Sequence, residues 1–256
     1  MTAQKAIGNR LKSMLKLDFY RLFYTPLFYI MLAVAAIIPA MVLSMSGAET
    51  TSPDGTVQKA VEFTNTWQMV ESVDSAAVAE NPLDFARFAN INMLFIFAGL
   101  LMAIFVAHDY SSGFVKNIFT VHSQKTDYVI SKSAIGIFSG AGMIITYVFG
   151  AIVAGLLTGK SFDVHVGGLI MCLLSKLFLM GVFCSLFLSI AVFFRNKLWM
   201  TIVFTFLFGM ILYPAASVAT LSSSVTTMLI TLIAGIAGAI IIGSVSSLFL
   251  RKRDLV

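Results

Sequence analysis

The sequence predicts an all-α integral membrane protein of six spanning helices, with an interfacial helix before the first span and a short helix between the second and third. Three observations lead there. Of 256 residues, 59% are hydrophobic and 11% charged, against about 25% charged in a soluble domain. Mean hydropathy is +0.93, more apolar surface than a water-soluble core can hide. The apolar residues fall into six runs of roughly 20 residues or more, enough to cross ~30 Å of hydrocarbon, and basic residues collect in alternate connections.

The elements follow in order. In "AIGNRLKSMLKLDFYRLFYTP" Ile7, Leu11, Met14, Leu15 and Leu22 recur at helical spacing, while Lys5, Lys12 and Lys16 share the opposite face. That pattern, over 5–25, is an interfacial amphipathic helix that turns into the membrane near Pro26. Asp18 falls on its apolar face, with Arg21 three residues on as its partner. The first span is 27–46. This 20-residue apolar run exceeds a typical signal-peptide core, so it is read as a retained span. A polar segment, 47–87, follows, with Pro53, Asp54 and Gly55 as a turn and a modest helix in "VQKAVEFTNTWQMV". Asn81, Pro82 and Asp84 have the chemistry of a helix start leading into the second span, 88–108. The later spans are 133–158, 166–194, one from Leu198 that meets Pro214, and 228–250, which "RKR" stops. Residues 213–227, rich in small and hydroxyl side chains, fit a re-entrant hairpin.

Charge orients the chain with both termini in the cytoplasm. Thirteen of the 17 basic residues then lie inside, Lys59, Arg87 and Lys160 lie outside, and Lys176 lies within a span. The segment 47–89 carries seven acidic residues against Lys59 and Arg87, net −5, as an extracellular loop that excludes basic residues would.

"AGLLTGKSF", residues 154–162, fits a relaxed phosphate-loop pattern. A phosphate loop needs a buried strand before it and a helix after it. Here a membrane helix precedes it on the outer face, so the match is fortuitous and Gly155 and Gly159 belong to a tight turn. No metal site is expected from His108, His122 and His165, which fall on different faces. No span has a mid-membrane Asp or Glu for acid–base or proton-relay work. Cys172 and Cys184, twelve residues apart on one helix, are about 18 Å apart and cannot bridge.

The polar stretch 109–132, "DYSSGFVKNIFTVHSQKTDYVISK", is the most informative. Gly113 breaks the helix leaving the membrane. Phe114, Val115, Ile118 and Phe119 then form a short amphipathic helix on the cytoplasmic surface, with Lys116 and Asn117 beside them. Ser123 or Thr126 caps the next helix. A partly apolar helix held out in the cytoplasm is a docking element.

These residues resemble the permease subunits of type-2 ATP-binding-cassette exporters, in particular the small bacterial branch that exports, or confers immunity to, antimicrobial peptides and bacteriocins. That branch reads E-Y-x-x-G-T-I-R-N where this chain has Asp109, Tyr110, Ser111, Ser112, Gly113, Phe114, Val115, Lys116 and Asn117. Ser123, Tyr128, Ser131 and Lys132 follow. Asp109 replaces Glu, Phe114 replaces Thr and Lys116 replaces Arg. "LKLDFYRLFYTPLFY" is similar to the family's elbow helix. The resemblance implies one permease domain over 1–256, with 109–132 as the coupling region. Asp109, Gly113, Phe114, Lys116, Asn117, Ile118 and Phe119 would engage a separate ATPase subunit, and Asp18 and Arg21 would lie in the elbow. It also implies a second permease subunit, a bacterial plasma membrane, no nucleic acid partner, and ATP and Mg held by the ATPase, with no cofactor in this chain. The activity implied is ATP-driven export of an amphipathic peptide or lipid-like substrate, by a chain that is not itself an enzyme. An ATP-independent membrane interaction or immunity protein is the alternative.

Lys176 lies about 15 Å into its span. A charge there is costly; carbonyls near Pro214, a lipid headgroup or a substrate on a transport path could each receive it. Gly136 and Gly140, and Gly235, Ala239 and Gly243, have the four-residue spacing of close helix packing, within the subunit or across a dimer.

Overall fold

A computed structural model describes residues 3–47, 49–51, 57–59, 62–70, 90–120, 124–195 and 197–252. Helix α1 spans Ala3–Phe23 and α2 spans Pro26–Ser44. A short antiparallel ribbon pairs β1, Glu49–Thr51, with β2, Val57–Lys59. A 3-10 helix runs over Thr66–Val70. Then come α3, Met93–Ser111; α4, Phe114–Thr120; α5, Lys125–Thr158; α6, Val166–Phe194; α7, Leu198–Ala216; and α8, Val225–Lys252. Among the described residues six helices, α2, α3, α5, α6, α7 and α8, are long and apolar enough to cross a membrane.

Local chemistry accounts for the boundaries. Pro26 occupies the first turn of α2, where its missing N–H costs nothing. Gly113, at φ 72°, makes the break between α3 and α4, and Gly159, at φ 66°, closes α5. Both conformations are strained for residues with a Cβ. The N-cap of α6 is His165, whose Nδ1 accepts from the Gly168 amide at 3.2 Å.

Helix α8 lies along α6, α2 lies along α5, and α3 sits between α6 and α7. The small residues serve these seams. A Cβ on Gly140 would meet the Met180 side chain, one on Gly136 that of Cys184, and one on Gly235 the Phe178 carbonyl. The Gly136 and Gly140 pair therefore packs within the subunit, as does Gly235, whereas Ala239 and Gly243 line a cleft beside α5. Cys172 and Cys184 are buried and are not joined in a disulfide. Apolar side chains on the outer faces of α7 and α8, among them Trp199, Ile211, Ile233 and Ile240, are exposed, as lipid-facing residues are.

The bundle has two distinct ends. α1, α4 and the C-terminus of α8 lie at one, here called the basal end; Lys125 Nζ donates to the Leu250 carbonyl there at 2.5 Å. At the opposite end the 3-10 helix forms a cap. Its Trp67 Nε1 donates to the Phe162 carbonyl at 3.3 Å, and Tyr147 of α5 donates to the Met69 carbonyl at 3.2 Å.

The helix expected to run through Tyr128 and Lys132 into the third span does so: α5 is unbroken from Lys125. Two other expectations change. Residues 213–227 are no re-entrant hairpin: α7 continues through Pro214 to Ala216, turns occupy 217–224, and α8 begins at Val225. Pro214 has no N–H to give up, and the hydroxyls bond within the turn, Ser223 Oγ accepting from the Thr220 amide at 2.9 Å. "VQKAVEFTNTWQMV" is a strand followed by a 3-10 helix, not an α-helix; Trp67 is buried against Phe162. "AGLLTGKSF" ends a membrane-length helix and follows no strand, and Gly155 faces Thr66 across the seam. The Pro53–Gly55 turn, the Asn81 helix start, His122 and Ser123 lie outside the described residues.

Candidate functional site: a buried charge cluster beneath a short basal helix

Four elements converge at the basal end. The inward face of α1 supplies Asp18 and, one turn on, Arg21. The last turn of α3 supplies Asp109. The second turn of α5 supplies Tyr128, Ser131 and Lys132. Helix α4 lies over them, with Phe114 turned down. Asp18, Asp109 and Lys132 are fully buried, and the Arg21 side chain is 19% exposed.

Lys132 is the hub. Its Nζ is 2.6 Å from Asp18 Oδ1 and 2.6 Å from Asp109 Oδ2. Arg21 Nη2 is 2.5 Å from Asp109 Oδ1, and its Nη1 is 3.9 Å from Asp18 Oδ1. Ser131 donates to Asp18 Oδ2 at 2.6 Å, and Tyr128 donates to Asp109 Oδ2 at 3.0 Å. Two carboxylates thus face two cations, and the cluster is formally neutral. The Arg21 guanidinium lies 3.8 Å from the Phe114 ring centroid, and Lys132 Nζ lies 4.4 Å from that of Phe105. These rings exclude water while giving the cations a favourable π face. A buried pair contributes little net stability, yet removing one partner leaves an uncompensated charge and costs about 3–5 kcal/mol. The cluster therefore fixes the relative placement of α1, α3, α4 and α5 more strongly than it stabilises the fold. Beside it Arg10 Nε stands 3.6 Å from Asp127 Oδ2, a second link between α1 and α5.

The candidate coupling residues divide into two sets. Lys116 and Asn117 are exposed on α4. Phe114, Ile118 and Phe119 are half-buried against the chain's own core, Phe119 edge-on to Tyr128 with centroids 5.8 Å apart. Part of their apolar surface is thus spent on the chain's own core. Asp109 is no docking residue; its carboxylate belongs to the cluster. Gly113 is the hinge into α4. Asp18 does meet Arg21, but its closer partner is Lys132.

Lys176 lines no open path. It is fully buried, and its Nζ donates to Asn92 Oδ1 at 2.7 Å and to the Ala216 carbonyl at 3.2 Å. It ties α6 to the start of α3 and the end of α7. Among the described residues no group of three or more His, Cys, Asp or Glu side chains could hold a metal ion.

The link from Asp18 and Asp109 to Lys132 escaped sequence reading, although Ser131 and Lys132 stood out as a pair. The available signal was arithmetic: two acidic residues at the ends of apolar helices each need a buried cation, and Arg21 can satisfy only one fully. No protein-family model, curated protein or solved structure matches the chain.

Proposed function

We propose that this chain is the membrane-spanning subunit of an ATP-driven type-2 exporter, working with a separate ATPase and a second permease subunit. The substrate class is an amphipathic peptide or lipid-like molecule. The observation that carries the reading is the charge cluster directly beneath α4. Movement of α4 cannot leave Arg21 and Lys132 behind, because Phe114 sits on both cations and Gly113 joins α4 to the helix that carries Asp109. A push on the exposed face of α4 would thus reach α1, α3 and α5 together. A chain that only anchors itself in a membrane gains nothing from such a linkage.

In this reading the basal end faces the cytoplasm of a bacterial cell, α1 is the elbow, and α4 is the coupling helix. Lys116 and Asn117 contact the ATPase, which holds ATP and Mg. The contact is polar: its charges set orientation and encounter more than raw affinity. The test is to purify the chain with an affinity tag after mild solubilisation and assay the complex for ATP hydrolysis. Hydrolysis stimulated by a cationic amphipathic peptide, and lost with Lys116→Glu, supports the reading. A chain that purifies without any ATPase and still confers peptide resistance on cells identifies an ATP-independent immunity protein instead.

A further inference from the structure

Two clefts open along one side of α5, one in each half of the bundle. The outer one, about 310 Å³, lies between α5 and α6, and its walls, including Ile144, Val148, Ile170 and Leu174, are wholly apolar. The basal one, about 430 Å³, lies between α5 and α8 and differs in kind. Thr126, Ser133, Ser185, Ser244 and Ser247 bring five hydroxyls to its walls. Both volumes are within the range of ligand-sized clefts, about 300–1,000 Å³. Bulk acyl chains fill the first without loss. They offer nothing to the second, since hydrocarbon cannot hydrogen-bond.

The basal hydroxyls are not all used by the protein. Ser185 donates to the Gly181 carbonyl and Ser247 to the Ser244 carbonyl, each at 2.8 Å. The Ser133 and Ser244 hydroxyls have no hydrogen bond among the described residues. Ser133 lies eight residues along α5 from Lys125, about 12 Å, and Ser244 six residues along α8 from Leu250, about 9 Å. A bilayer's interfacial zone is ~5–8 Å deep on each side, so with Lys125 and Leu250 at its outer edge these hydroxyls lie just past its inner limit, within reach of ester carbonyls. Above them the Lys125 ammonium spends one of its three donors on the Leu250 carbonyl. Its other two have no partner among the described residues.

We propose that the basal cleft holds one anionic phospholipid of the leaflet at that end. Its phosphate meets Lys125. Its ester carbonyls accept from Ser133 and Ser244. One acyl chain lies along Ile130 and Ile137. Charge and depth select this occupant: a cation stands next to Thr126 at the basal limit of the lining, donors stand further in, and an apolar wall lies beside them. An apolar partner helix would leave both the cation and the donors unanswered.

The test is native mass spectrometry of the purified full chain mixed with equal amounts of phosphatidylglycerol and phosphatidylcholine of identical acyl chains. The expected result is one retained phosphatidylglycerol per chain, favoured about tenfold over phosphatidylcholine, a factor of ten in binding constant. Selectivity should vanish in the triple variant Lys125→Gln, Ser133→Ala, Ser244→Ala. Retention itself should vanish in Gly243→Leu, where a Cβ has room, its nearest neighbour Val129 Cγ1 being 3.7 Å away, and the longer side chain fills the cleft. The thermal midpoint of each variant is measured alongside, and the triple variant, which trims one exposed and two half-buried side chains, stays folded if Gly243→Leu does not. Equal retention of both lipids by the unaltered chain overturns the proposal. So does selectivity that survives the triple variant, or a dimer that Gly243→Leu disrupts with lipid retention unchanged, which would make the cleft a seam between copies. None of these outcomes depends on an ATPase, so the exporter reading stands or falls separately.

Discussion

Lys132 holds two carboxylates that belong to different helices, so its loss leaves two buried negative charges facing one cation, Arg21. Lys132→Met should therefore lower stability by about 3–5 kcal/mol, the cost of breaking a buried pair from one side. Asp18→Asn added to it should recover part of that loss, because one uncompensated charge goes with it. Thermal unfolding in detergent, followed by the fluorescence of Trp67 and Trp199, reads both effects. If the double variant is less stable than Lys132→Met alone, the pairing is misassigned. Lys176→Met makes a second test. The Asn92 carbonyl and the Ala216 carbonyl would be left without their donor, so the midpoint should fall, by about 1–3 kcal/mol for each buried acceptor left unpaired. A raised midpoint would mean that burial of the charge outweighs its hydrogen bonds.

Helix α4 is too short to be stable by itself, since isolated helices below ~12–15 residues are marginal in water. It exists because Phe114 and Val115 pack on the cluster and Gly113 sets its direction. Gly113→Val forces a β-branched residue to φ 72°, a conformation that costs of order 1–3 kcal/mol, and should redirect or unwind α4. The expected signature is faster amide hydrogen exchange over 114–120 with the spans still protected. Unchanged exchange there would show that the break does not need glycine. At this scale much was legible. Apolar runs of spanning length located five of the six spans to within a few residues, and Gly113 marked the α3–α4 break. The direction of the apolar face of α4 was not legible, because amphipathicity says that a face is buried and not against what. Phe114, Ile118 and Phe119 read equally well as a docking surface or as a lid. The turn at 217–224 was misread because small and hydroxyl residues suit an ordinary tight turn as well as a re-entrant one. The start of α5 was legible, because Ser123 and Thr126 offered caps beside Lys125, the residue where the helix begins.

Across the whole molecule, composition and length settle the membrane class, and six apolar helices meet it. The site was only half legible. Asp18–Arg21 could be read because both residues lie on one helix three positions apart. The contacts to Asp109 and Lys132 span the sequence from 18 to 132, and no local period reports a tertiary contact of that range. The proposed orientation rests on the placement of basic residues and is testable alone. A Lys160→Cys variant, on the background Cys172→Ser and Cys184→Ser, should react with an impermeant thiol reagent from outside intact cells. Reaction only after the cells are opened would invert the topology and remove α4 from the cytoplasm.

In the proposed exporter α4 is the point where force enters. The most direct measurement replaces Lys116 with a photoreactive amino acid in living cells, irradiates, and identifies the protein joined to it by mass spectrometry. A lipid-facing position, Ile240, serves as control. The expected product from position 116 is a soluble ATPase carrying an authentic phosphate loop, with none from position 240. Phe114→Ala in the same background should leave that cross-link in place while reducing substrate-stimulated ATP hydrolysis, because the contact survives and its path to the cluster does not. A cross-link from position 116 to lipid alone, in cells that express a functional chain, would contradict the account.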